Sequence, residues 1–125
     1  MKKEQVVSKN CGECHGPYAL GVKVGNMIYS TQIGTDISGE IVAGGIKEQT
    51  KQLMENIKYV LEAAGSCMDN IVKVTIYVLD MAVVPEMNEV YKTYFKDNYP
   101  ARCCTQCSGM VEGCLIEMEF TAFTE

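Results

Sequence analysis

The stretch Tyr99-Pro100-Ala101-Arg102-Cys103-Cys104-Thr105-Gln106-Cys107 reads as a strand entered from a proline, with one cation near its start. Side chains alternate along a strand. Arg102, Cys104 and Gln106 therefore share one face, and Cys103, Thr105 and Cys107 the other. A guanidinium at a strand end can grip both oxygens of a small carboxylate through its planar fork. It can equally form a surface ion pair, and the neighbouring elements have to decide.

Working backwards from this strand, Pro85 to about Lys96 reads as a helix with proline in its first turn and Val90, Tyr91, Tyr94 and Phe95 on its apolar side. Before it, Ile71 to Leu79 is a strand, with Val72, Val74, Ile76 and Val78 on one face and Lys73, Thr75 and Tyr77 on the other. Further back lies a helix over 46–64. Ile46, Leu53, Met54, Ile57, Val60, Leu61 and Ala64 form its stripe, and Gly65 stops it. The segment 32–45, with Gly34, Gly39, Gly44 and Gly45, reads as a loop. A hairpin precedes it: Gly21-Val22-Lys23-Val24 and Met27-Ile28-Tyr29-Ser30 flank Gly25-Asn26, a turn pair tolerant of positive φ. Gln5 to Ser8 is a short first strand, and 10–18 is a loop. Forward of Cys107, a turn over 108–113 leads to a last strand, Cys114 to Phe123. There Ile116, Met118, Phe120 and Ala122 alternate with Glu117, Glu119 and Thr121.

The order β-β-β-α-β-α-β-β implies one α+β domain over residues 1–125: a mixed β-sheet with two helices packed on one face. The other face is expected to carry Tyr77, Arg102, Cys104, Glu117 and Glu119, too mixed to stay fully exposed. A subunit interface would explain it.

Composition narrows the function. The 125 residues hold 11 basic against 16 acidic side chains, net −5, with no basic cluster, so the electrostatic footprint of a nucleic-acid binder is missing. No stretch approaches the roughly 20 apolar residues of a membrane span. Met1-Lys2-Lys3-Glu4-Gln5 has no apolar segment behind it, so the expected location is cytoplasmic. Seven cysteines in such a setting read as reduced thiols.

Three groupings bear on chemistry. Arg102 and Glu117 fall on consecutive strands with side chains expected on one face. They are either a cross-strand ion pair or a substrate-holding cation beside a base that orients water. Glu119, two residues on, could take the acid's role instead. Cys11-Gly12-Glu13-Cys14-His15 has the letters of a haem-attachment site, but nothing in the chain offers a helical haem pocket. Cys11/Cys14 and Cys104/Cys107 have chelating spacing, with His15 and Cys103 in reserve. On a regular strand, however, residues three apart point to opposite faces, so ordinary thiols are expected and no metal. Ser30 and Thr31 have no acidic partner or second histidine for a triad. Tyr18 and Asn88 say little alone.

Taken together, the sequence closely resembles the RidA/YjgF family of reactive enamine/imine deaminases over nearly its whole length. The resemblance is carried by Gly16-Pro17-Tyr18, Val22 to Asn26, Ser30-x-Gln32-Ile33, Gly39-Glu40-Ile41-Val42, Glu48-Gln49-Thr50, Leu61 to Gly65, Val72-Lys73-Val74-Thr75 and Asn88-Glu89-Val90-Tyr91. Its most specific pieces are Pro100-Ala101-Arg102-x-Cys104 and Ile116-Glu117-Met118-Glu119. It implies a chorismate-mutase-like α+β fold, a homotrimer with clefts between subunits, and no cofactor. It implies hydrolysis of 2-imino or 2-enamino acids, such as 2-aminoacrylate and its imine, to 2-keto acids and ammonia. Arg102 matches the residue that holds the substrate carboxylate, and Glu117 the acid that positions water. Tyr18, Ser30, Asn88 and Cys104 match residues lining the cleft, with the backbone N–H at Thr31 implied as a further carboxylate contact. Thr31 stands where glycine is usual, and Ala19-Leu20 where Ser-Gln is usual. The Cys-rich segments holding Cys11, Cys14, Cys103, Cys104 and Cys107 are not family features. A non-catalytic ligand-binding or regulatory trimer, or a thiol redox or metal module, are the alternatives.

Overall fold

The computed structural model describes residues 1–125. Six strands form one sheet: β1 (Lys3–Val6), β2 (Gly21–Val24), β3 (Met27–Ile33), β4 (Ile71–Val78), β5 (Ala101–Gln106) and β6 (Ile116–Phe123), in the spatial order β1-β2-β3-β6-β4-β5. All neighbours run antiparallel except β4 and β5. A parallel pair needs a crossover, and helix α2 (Val84–Tyr91) lies in it. The long helix α1 (Ile46–Ala63) packs on β3, β6 and α2.

The expected α+β architecture and element order are present. Leu53, Ile57, Val60 and Leu61 are no more than 1% exposed and meet Ile28, Val74, Ile76, Ile116, Met118 and Ala122 of the sheet. Each such side chain, fully buried, contributes about 1.5–3 kcal/mol. At its C-terminus α1 is closed by Gly65 at φ +83°, with Ser66 N–H donating to the Leu61 carbonyl and Gly65 N–H to that of Glu62. That double bond pattern requires a left-handed residue after the cap. Gly34 is fixed for another reason. A Cβ there would sit 2.8 Å from the Gln49 carbonyl oxygen, so only glycine lets the end of β3 approach α1 this closely.

Several boundaries move. β3 runs on to Ile33, and α2 ends at Tyr91, with a tight 3₁₀ turn over Lys92–Tyr94 in place of continued helix. In the hairpin only Gly25 takes positive φ, +60°. Val72 is 44% exposed instead of joining Val74, because β4 bulges there: Ile71 pairs with Ala122 and Lys73 with Thr121, leaving Val72 as the extra residue.

The main correction concerns the faces. β5 does not pair with β6. It lies along β4 on the side away from β6, with Val74 opposite Arg102 and Ile76 opposite Cys104. Paired residues share a face, and Val74 and Ile76 point into the core. Arg102 and Cys104 therefore lie on the helix-covered side. Glu117, opposite Tyr77, and Glu119, opposite Thr75, lie on the bare side with Thr31 and Tyr29. Period-two alternation within β5 and β6 holds as expected; the phase between the two strands does not. A cross-strand ion pair between Arg102 and Glu117 of one chain is thereby excluded.

Candidate active site

On one chain the sequence-predicted residues, Cys104 excepted, fall into two separate hollows. The first is a groove of about 950 Å³, floored by β3 and β6 and walled by the 11–20 loop. Tyr18, Ser30, Thr31, Glu117 and Glu119 line it, as do Ala19, Leu20, Cys11, Cys14 and His15. Tyr18 is 65% exposed and stands over the groove. Its loop is pinned from below: Ser30 Oγ donates to the Leu20 carbonyl at 2.6 Å and accepts from Gln32 Nε2 at 2.9 Å. The Ser30 hydroxyl is thus engaged within the chain, holding the wall that carries Tyr18. Thr31 sits in extended strand, and no residue other than glycine adopts positive φ. The flexibility that glycine would bring at this position is absent.

The two acids of β6 differ in their contacts. Glu119 Oε1 accepts a hydrogen bond from Tyr77 Oη at 2.9 Å, which pushes the Tyr77 phenol above its usual pKa. Glu117 has neither a side-chain hydrogen bond nor an ion pair within the chain, whose sole salt bridge is Lys47–Glu89. Of the two, Glu117 is the carboxylate without a partner in the chain.

The second is a hollow of about 330 Å³ on the helix side, lined by Asn88, Tyr91, Lys92, Tyr99, Pro100 and Arg102. α2 supplies Asn88 and Tyr91, three residues apart and hence on one helix face. Arg102 projects from the edge strand with its guanidinium carbon 4.9 Å from the Tyr91 ring centroid, and no carboxylate pairs with it. Asn88 Oδ1 and Tyr91 Oη are buried without partners. Cys104, half-buried against the core, has its thiol pKa raised by burial, partly offset by the Arg102 charge. Tyr91 and Tyr99 were missed as site residues from the sequence. The i, i+3 step from Asn88 to Tyr91 was the available signal, but it looked the same as core spacing.

All seven cysteines are free thiols, and no group of three or more ligating side chains gathers for a metal. Burial raises the Cys11 thiol pKa. No helix is long and apolar enough to cross a membrane.

The two hollows hold an unpaired cation and an unpaired carboxylate on opposite faces of one sheet. Comparison with known proteins gives the context. Residues 10–124 match the family described as Endoribonuclease L-PSP. A RutC family protein of Pyrococcus abyssi is 45% identical over the whole of both chains. The human 2-iminobutanoate/2-iminopropanoate deaminase is 43% identical over 109 residues, covering 86% of this chain and 80% of its own. The crystal structure of a Rid-family protein from Yersinia pestis superposes with a TM-score of 0.94 at 33% identity, covering 98% of this chain and all of that one. With its sheet order, its groove and its full-length likeness to these proteins, the chain belongs to the RidA/YjgF family.

Proposed function

We propose that this protein is a homotrimeric, cytoplasmic deaminase that hydrolyses 2-imino and 2-enamino acids to 2-keto acids and ammonia without a cofactor. Each site is made of the Arg102 hollow of one subunit and the Glu117 groove of the next. The observation that carries this reading is the pair of incomplete, oppositely charged half-sites on separate faces of one chain. The human deaminase relative supports the reaction class. The net charge of −5 favours a small substrate over nucleic acid.

The chemistry asks little of the protein. An enamine first takes a proton at carbon to become the iminium, whose carbon is already electrophilic. The Arg102 fork holds the carboxylate and fixes that carbon in place. Glu117 accepts a hydrogen bond from one water and takes its proton as the oxygen adds to the carbon. Glu117 passes that proton to nitrogen. As the C–N bond of the tetrahedral adduct breaks, the hydroxyl gives its proton back to the carboxylate, from which solvent or ammonia takes it. Ammonia (as ammonium) and the 2-keto acid leave. Tyr18 and the Thr31 backbone close the groove side, while Asn88 walls the hollow; Cys104 stands two residues along β5 from Arg102, outside that hollow's lining.

The test is turnover of freshly generated 2-iminopropanoate. Arg102→Ala should lose measurable activity, and Arg102→Lys should retain little, because an ammonium cannot reproduce the planar fork. Glu117→Gln should still bind 2-keto acids but turn over at least about 100-fold more slowly, the usual size of a general-base contribution. Near-normal imine hydrolysis in both Arg102→Ala and Glu117→Gln would remove the mechanism and leave a ligand-binding trimer.

A further inference from the structure

Arg102 is an exposed residue on an edge strand, and a long side chain there is free to sweep a wide cone unless something holds it. No acid does so. What lies against it is the ring of Tyr91, 4.9 Å from the guanidinium carbon. Tyr91 is only 4% exposed at the end of α2, and its own position is fixed by an aromatic chain. The Phe95 ring packs on Tyr91 with centroids 4.9 Å apart, and Tyr99 on Phe95 at 5.8 Å. The Tyr91 hydroxyl is buried and makes no hydrogen bond of good geometry; burial raises its pKa and the Arg102 cation partly offsets that, so the guanidinium lies beside the phenol as well as over the ring.

We propose that Tyr91 is the positioning residue for Arg102: its ring holds the guanidinium by a cation–π contact and so presents the fork toward the substrate carboxylate. This rests on the deaminase reading of the same site. A ring is suited to the task where an acid is not. A carboxylate partner would occupy the N–H donors and neutralise the charge that the substrate must meet, whereas the π face attracts the cation and adds no competing anion. The preorganised side chain then loses less freedom on binding.

Two measurements test it. Tyr91→Leu keeps apolar bulk and removes the π face. It should raise KM for 2-imino acids, and weaken 2-keto acid binding, by about fivefold to tenfold, with a smaller change in kcat. Tyr91→Phe should recover most of that loss. A Tyr91→Leu protein with KM within about twofold of the parent would overturn the proposal, as would Tyr91→Phe behaving like Tyr91→Leu. The second measurement needs no variant to fold and no activity. In the parent protein, the Arg102 δ-methylene protons should show upfield ring-current shifts and the Nε–H a restrained side chain by NMR. Random-coil shifts with free motion would overturn it. If Arg102→Ala leaves turnover intact, the deaminase mechanism fails instead, while the NMR signature still reports on the contact itself.

Discussion

At the scale of single residues, the polar groups inside the core are as specific as the apolar ones. Asn56, 3% exposed on α1, donates through Nδ2 to the Ile33 carbonyl at 3.0 Å and the Thr35 carbonyl at 2.9 Å, and accepts from Gln52 at 3.0 Å. It ties the end of β3, and with it the groove floor, to the helix. Asn56→Ala leaves two carbonyls unsatisfied, so a loss of about 2–4 kcal/mol is expected in urea unfolding at fixed protein concentration. A loss under about 0.5 kcal/mol would mean that water replaces the amide at no cost. Gln49 does similar work from the same helix, donating to the Gly113 carbonyl at 2.9 Å and accepting from Leu115 N–H at 2.8 Å. The helical stripe was legible in the sequence because apolar periodicity is local. These amide anchors were not, since a Gln or Asn on a helix looks the same whether it faces solvent or a distant loop.

Between elements, the turn after α2 is fastened to α1 by Tyr94, whose hydroxyl donates to Glu55 Oε2 at 2.7 Å. Burial, and then the Glu55 carboxylate, push the Tyr94 pKa far above its usual value. The folded chain therefore keeps this proton at pH values where the unfolded chain, with an ordinary phenol near pH ~10, has lost it. The stability contributed is fully present below pH ~10 and declines as pH rises above it, because there the folded state binds more protons than the unfolded one. Tyr94→Phe should be less stable than the parent at neutral pH, and the gap should shrink on going from about pH 9 to about pH 11. Denaturation curves at stepped pH measure this; a gap that widens over that range would show that the phenol is not protonated by its surroundings in the way described.

For the whole molecule, the bare sheet face is the outstanding feature. Tyr29, Thr31, Thr75, Tyr77, Glu117 and Glu119 stand on it with no helix above them. A homotrimer is expected, giving a mass by light scattering about three times the 13.8 kDa of the chain. A stable monomer at micromolar concentration would leave the half-sites apart. Subunit mixing is the sharper test. Arg102→Ala and Glu117→Gln chains, each inactive alone, should regain activity when unfolded and refolded together. If each interface takes its two halves independently from an equal mixture, about one in four is intact, so about a quarter of parent activity should return. No recovery beyond the separate variants would place both residues' work within one subunit.

The sequence by itself determined the elements, their order, the buried stripe of α1 and, Val72 at the β4 bulge excepted, the alternation along the strands, because these follow from periodicities of a few residues. It also carried the family resemblance, since the motifs around Tyr18, Arg102 and Glu117 stand in order along the chain. Only the tertiary structure decided which strands are neighbours, and that overturned the expectation that Arg102 and Glu117 share a face of one chain. Placing β4 between β5 and β6 put Arg102 and Glu117 two strands apart and on opposite faces. The physical reason is that a strand's side-chain alternation fixes its two faces but not which one turns inward. That choice is made by hydrogen-bond register with a partner strand, and β5 found its partner across the α2 crossover, not across the short turn to β6.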